Sequence, residues 1–187
     1  MTLKTASLST YNSGLSLTDL DTNLADKIAW KTIPGGILGT MQTLETMAIL
    51  ARAGSREPGT AALVAGIVRN SAGTSDMVSA IDNFLRNTFV YRGERDEVLR
   101  TVPYMLHDFE TLRRMEGDCD DMTIMGCAML MCAGISCRMT AIKAENPDEF
   151  DHVFSEARVG QNWIPVDPTV PLGTQYRTFG FMSEAVC

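Results

Sequence analysis

Residues 117–134, GDCDDMTIMGCAMLMCAG, set the tightest limit on what this chain can fold into. Gly117 permits a sharp approach, Asp118 is a good N-cap for the first-turn amides, and Asp121 stands three residues on, as in a capping box. A helix is therefore predicted from Cys119 to about Ala133, closed by Gly134 in the left-handed C′ position. Its residues are apolar on nearly every face, so other elements must wrap it. The Met residues at 122, 125, 129 and 131 read as core filling. A thiol in the first turn feels the positive end of the helix macrodipole, which favours the nucleophilic thiolate. Asp118, Asp120 and Asp121 oppose that effect, so a reactive Cys119 needs a basic partner; the three carboxylates otherwise read as cap and solvation residues.

What precedes this stretch is helical in pattern. The Ser- and Thr-rich first 16 residues have no periodicity and read as an extended arm. Residues 17–31 carry Leu17, Leu20, Leu24 and Ile28 on one face behind Thr18 or Asp19, an amphipathic helix. IPGGILG at 33–39 is a breaker-rich linker, and helices are expected over 40–53, 56–70 and 75–89. Pro58 suits a first turn. Gly66, in a helix interior, implies close packing. Residues 89–91 read as a short extended piece, 92–101 as a charged loop, and 104–115 as a strandless loop or short helix. His107 falls there as a surface or packing residue.

Beyond Gly134 the pattern changes to short β-rich segments at 137–142, 152–159 and 163–166, separated by turn signals at Asn146, Pro147 and Asp148 and at Gly160, Gln161 and Asn162. Helices, then a cysteine helix, then an antiparallel sheet make an α+β fold. His152, one of 2 histidines, heads the second segment, and Asp167 ends the third. If those strands pair through the Gly160 turn, the two residues lie near one sheet edge. Cysteine-based acyl transfer needs a thiolate, an imidazole to exchange its proton and a group to orient that imidazole. Register alone makes Cys119, His152 and Asp167 one such arrangement among several.

The linked motifs resemble the transglutaminase-like branch of the papain-type cysteine enzymes. In that family a Gly-x-Cys opens the core helix, a small-Gly-Ile-x-x-Arg segment leads into the first strand, a His begins a strand, and Gly-x-Trp-x-x-x-Asp-Pro supplies an Asp. Here these fall on Gly117 and Cys119; on Ala133, Gly134, Ile135 and Arg138; on His152; and on Trp163, Asp167 and Pro168. The match spans residues 81–173, about half the chain. Gln161 and Asn162 before Trp163 displace Gly160 by a residue, a departure that alters the hairpin turn. The resemblance implies a catalytic domain over 76–187 after an N-terminal arm and helical region over 1–75. It also implies that Cys119 attacks a peptide or carboxamide carbonyl, His152 exchanges the proton and Asp167 orients His152. The backbone amide of Cys119 is the implied oxyanion donor, with Tyr91 a candidate for a second. No cofactor or metal is implied. The helical first half is similar to small transglutaminase-like proteins of tailed bacteriophages and prophages, which implies host cytoplasm or virion as location.

Composition narrows the alternatives. A chain of 187 residues is one domain, or one with an added arm, and 45% hydrophobic with 21% charged residues is an ordinary globular balance. A net charge of −7 argues against nucleic acid or an anionic membrane as partner. The sequence has no run of about 18 apolar residues and no signal-peptide pattern at its start, so a cytoplasmic location is expected. Five cysteines fit a reduced compartment, with Cys127, Cys132 and Cys137 as small core hydrophobes. The acidic run does not match a calcium loop, and a zinc site from Cys119, His152 and Asp167 lacks close ligand pairs. Trp30 and Trp163 read as core, with Trp163 also placed to wall a cleft. Two functions fit: a cysteine peptidase, amidase or acyltransferase acting on a peptide or protein substrate by hydrolysis or crosslinking; or a virion-associated structural or assembly protein that uses the fold as a scaffold and docks phage structural proteins through residues 1–75.

Overall fold

The computed structural model describes residues 3–6, 30–33, 35–93 and 98–186. Two short strands, β1 (Leu3–Ala6) and β2 (Trp30–Ile33), pair antiparallel with Leu3 opposite Ile33. The helix expected over 17–31 lies outside the described residues, save that Trp30 and Lys31 belong to β2 and not to a helix. α1 (Ile37–Gly54) begins inside the stretch that reads as a linker, with Gly36 at φ 77° turning the chain into it. A glycine can hold that left-handed angle without cost, so the breaker serves as the helix's entrance.

α2 (Pro58–Val68) opens on Pro58, whose missing amide costs nothing in a first turn. Gly66 faces open space, so it does not mark a close approach. α3 (Thr74–Thr88) buries Val78, Ile81 and Leu85 and runs straight into β3 (Phe89–Tyr91). α4 (Val102–Leu112) starts at a Thr101 cap. It is followed by a strand where none was expected, β4 (Met115–Gly117), which pairs parallel with β3 so that Tyr91 stands opposite Gly117.

α5 (Cys119–Cys132) has the entrance and exit its sequence dictates. Asp118 accepts the amides of Asp120 and Asp121. At the other end Gly134, φ 73°, lets its own amide reach the Met131 carbonyl and that of Ile135 reach Leu130, a Schellman closure. Met122, Met125 and Met129 are buried, as expected of a wrapped helix, while Met131 is only partly covered.

The wrapping is supplied by α1 on one side and by a four-stranded antiparallel sheet on the other. Its strands are β5 (Cys137–Ile142), β6 (His152–Val159), β7 (Asn162–Val166) and β8 (Phe181–Ala185), in spatial order β7-β6-β5-β8. β8 has no counterpart in the sequence reading. It borders β5, with Arg138 opposite Ala185, and is held to α1 by Arg52, whose guanidinium donates to the Val186 and Ala185 carbonyls. Helix and sheet approach closely because Gly126 has no side chain: a Cβ there would stand 2.7 Å from Ser155 Oγ on β6. The architecture is thus α+β, with the cysteine-bearing helix buried on an antiparallel sheet behind a helical region. Among the described residues no helix is long and apolar enough to cross a membrane.

Candidate active site

Cys119 occupies the first turn of α5, half-buried. Its thiol donates to Asp120 Oδ1 at 3.6 Å. Burial pushes the thiol well above its ordinary pKa, and the Asp120 and Asp118 carboxylates push it further, while the Val153 amide pulls it down. The acidic residues are not a solvated group. Asp120 is 7% exposed and Asp121 is fully buried. Asp121 does not return to the cap as in a capping box; it accepts the Arg100 amide at 2.7 Å and pairs with the Arg100 guanidinium. Burial pushes Asp121 up to about 7, with Arg100 pulling against it.

His152 is the first residue of β6, and Asp167 follows the last residue of β7. The strands pair about the Gly160 turn with Ser155 opposite Val166, which brings both residues to the same end of the sheet. His152 Nε2 and Asp167 Oδ2 are 2.7 Å apart. Thr123 Oγ1 of α5 donates to the Val153 carbonyl, tying the start of β6 to the cysteine helix.

Three further residues, none singled out in the sequence, hold Asp167. Thr169 donates its amide (2.9 Å) and hydroxyl (2.5 Å) to Oδ1. The Tyr176 hydroxyl donates to Oδ2. Arg86, reaching from α3 and paired with Asp82 at 2.7 Å, donates to the Asp167 carbonyl at 2.6 Å and to that of Val170. Burial works against charge on Asp167, but the bonds from His152, Thr169 and Tyr176 prevail and hold its carboxyl below the usual range. Only the Thr169 contact carried a local signal: an Asp that accepts the amide two residues on is an Asx-turn, readable in Asp167-Pro168-Thr169.

Cys119 and His152 open onto one cleft of about 250 Å³. α1 walls it with Ile37, Leu44 and Met47, and the loop before β6 contributes Asp148, Glu149 and Phe150. Asp167, 2% exposed, sits behind the imidazole and not in the cleft. Trp163 does not wall it either. Its ring is covered by the Arg138 guanidinium at 4.5 Å, with Arg158 at 5.9 Å. Tyr91 is 55% exposed, which removes it from the core, and it does not line the cleft. His107 lies exposed on α4. Ligand atoms of Asp118, Cys119 and Asp120 lie within 4.8 Å of one another, close enough for a cation. The cap bonds on Asp118 and the thiol on Asp120 already engage that cluster.

The arrangement can do nucleophilic chemistry: a thiol and an imidazole share a cleft, and the imidazole is backed by a buried carboxylate. The family described as the Transglutaminase-like superfamily matches residues 61–168. Among solved structures, a candidate cysteine protease from Cytophaga hutchinsonii is similar at 22% identity and a TM-score of 0.46, over 75% of this chain and 44% of that one. A candidate protease from Parabacteroides distasonis is similar at 15% identity and a TM-score of 0.46, over 60% of this chain and 24% of that one. The chain thus corresponds to less than half the length of either. No protein of curated function matches it.

Proposed function

The chain belongs to the transglutaminase-like superfamily, and from that premise we propose that it is a cysteine-dependent acyl-transfer enzyme acting on a peptide or carboxamide bond. Cys119 is the nucleophile, His152 the general base and acid, and Asp167 the orienting carboxylate. The observation that carries this reading is the 2.7 Å bond between Asp167 Oδ2 and His152 Nε2 behind a cleft that His152 shares with Cys119. With Nε2 committed to Asp167, Nδ1 is the nitrogen left to exchange a proton with the thiol.

Burial and two carboxylates disfavour the thiolate. The step is therefore general-base catalysis: Nδ1 takes the proton as Sγ bonds to the substrate carbonyl carbon. The oxyanion so formed faces the helix N-terminus, where the Asp118 carboxylate takes the amides of Asp120 and Asp121, and not that of Cys119. The imidazolium returns its proton to the departing amine as the carbon–nitrogen bond breaks, leaving a thioester. Water, deprotonated by His152, then attacks the thioester and releases a carboxylic acid and the thiol; an amine in place of water would give a crosslink. Hydrolysis is the preferred reading. The apolar wall from α1 and the acidic loop opposite suit a peptide chain. In this assignment residues 76–187 form the catalytic domain, while α1, within residues 1–75, completes its cleft.

The test is labelling by a peptidyl vinyl sulfone, read at each cysteine by mass spectrometry. Wild-type protein should be modified at Cys119 in preference to Cys127, Cys132 and Cys137, and His152→Ala should lose that preference. Equal labelling of the two proteins at Cys119 would overturn the assignment.

A second reading is favoured by one observation: Leu38 and Met41 of α1, outside the cleft, are 68% and 45% exposed. An apolar face in the region 1–75 suits docking to phage structural proteins, with the fold serving as a virion scaffold. That reading expects an inert Cys119 and a chain that self-associates, measured by light scattering, and loses association in Leu38→Asp.

A further inference from the structure

Asp167 carries more donors than the orientation of one imidazole requires. Thr169 satisfies Oδ1 twice, and Oδ2 accepts both His152 Nε2 and the Tyr176 hydroxyl. Tyr176 belongs to the segment between β7 and β8, outside every motif that marks the site. Its ring lies flat on Phe154, centroids 4.4 Å apart and planes 5° from parallel, and stacks beside His152 at 6.1 Å and 28°. One side chain therefore bonds the carboxylate through its hydroxyl and lies beside the imidazole, packed on Phe154.

We propose that Tyr176 is a positioning residue, which fixes Asp167 Oδ2 opposite His152 Nε2 and tunes how strongly the carboxylate holds the imidazole proton. The proposal rests on the Cys119, His152 and Asp167 reading and deepens it. An oxygen that accepts two donors spreads its charge over both and is a weaker partner for each. Tyr176 thereby keeps Asp167 anionic while moderating its pull on His152, so that the imidazole can release its proton to the leaving amine. The ring, held on Phe154, fixes the direction from which the hydroxyl reaches Oδ2. The segment is anchored apart from Tyr176: the Phe179 amide donates to the Lys143 carbonyl at 3.0 Å, and the Lys143 amide to Gly180 at 2.9 Å. Removing the hydroxyl alone therefore leaves the segment in place.

The experiment is an NMR titration of the His152 imidazole in a His107→Asn background, which leaves one histidine signal, in otherwise wild-type, Tyr176→Phe and Tyr176→Ala proteins. The other titratable and charged groups are constant across the three: Cys119 and Asp120 on α5 and Asp148, Glu149 and Asp151 in the loop before β6, which share the cleft with His152, and Arg86 with Asp82 on α3, which act on Tyr176. In Tyr176→Phe the ring stays and Oδ2 serves His152 alone, so the midpoint should rise by a few tenths of a pH unit, the part of one hydrogen bond to a charged group that passes through the shared oxygen. Tyr176→Ala, which also removes the ring, should in addition slow vinyl sulfone labelling of Cys119. A midpoint unmoved in Tyr176→Phe, with only a lowered melting temperature, would reduce Tyr176 to a packing residue and overturn the proposal. The two readings fail separately. A raised midpoint in a protein whose Cys119 is inert upholds Tyr176 and removes the enzyme reading, and His152-dependent labelling with an unmoved midpoint does the reverse.

Discussion

The Cys119 thiol donates its hydrogen to Asp120 Oδ1, 3.6 Å away and one residue along the same helix. The helix dipole favours a thiolate at this position, yet burial, Asp120 and Asp118 outweigh it. Replacing Asp120 with Asn removes one unit of negative charge next to the sulfur and keeps the side chain's shape. At that separation the lost repulsion amounts to ~1 kcal/mol or more. The thiolate fraction at fixed pH should rise about fivefold or more, and with it the rate of iodoacetamide alkylation at Cys119, read by mass spectrometry at pH 7. An unchanged or slower rate would show that Asp120 does not hold the thiol in its protonated form.

Arg86 reaches from α3 to the carbonyls of Asp167 and Val170, with Asp82 fixing its far side. Lysine has one ammonium and cannot span two carbonyls and a carboxylate with a planar fork. Arg86→Lys should therefore cost about 1–3 kcal/mol in chemical denaturation and lower the His152-dependent labelling of Cys119, because the turn that presents Asp167 loses its anchor. Normal labelling in a destabilised variant would confine Arg86 to stability.

Much of this was legible because it is local. The cap at Asp118, the left-handed exit at Gly134 and the strands at 137–142 and 152–159 are each specified within a few residues, and the meeting of His152 with Asp167 follows from pairing across the Gly160 turn. What stayed hidden depends on distant chain. β8 shows no stronger pattern than the loop before it and exists because β5 offers an edge and α1 offers Arg52. Arg86 and Tyr176 meet Asp167 from opposite sides in sequence, and neither has a motif. Asp121 stands where a capping box would put it, but a fully buried carboxylate needs a cation more than the helix needs a second cap, and Arg100 is that cation. Gly66 was misread for the converse reason: a glycine in a helix signals contact only if another element arrives, and none does.

Asp121 also sets a pH dependence of unusual sign. Its pKa rises from 3.8 to about 7 on folding, so between those values the native state holds a proton that the unfolded state has shed. The stability from this group is complete below about pH 4 and is lost as pH rises through about 7. Asp167, held below its usual range, acts in the opposite direction, contributing above its unfolded value and losing that contribution as pH falls. Asp121→Asn removes the first effect and leaves the second. Urea denaturation at pH 4.5 and 7.5 should therefore show the variant gaining stability relative to wild type at the higher pH. A constant difference between the two proteins would mean that Arg100 keeps Asp121 ionised throughout.

The close approach of helix to sheet gives a test that separates packing from chemistry. A methyl group at Gly126 would stand 2.7 Å from Ser155 Oγ but 3.6 Å from Ser155 Cβ, so the conflict is with one oxygen. That oxygen donates to the Val166 carbonyl, next to Asp167, at 2.8 Å. Gly126→Ala should push β6 from α5 and cost about 1–3 kcal/mol. Ser155→Ala alone should cost about 1 kcal/mol for its hydrogen bond. In the double variant the methyl group occupies the space the hydroxyl has left, so the two costs should not add, and the coupling measured by a double-mutant cycle should be at least about 1 kcal/mol. Additive costs would mean that the Ser155 hydroxyl is not what the methyl group meets, since Leu85 Cδ1, at 3.5 Å, is in ordinary contact.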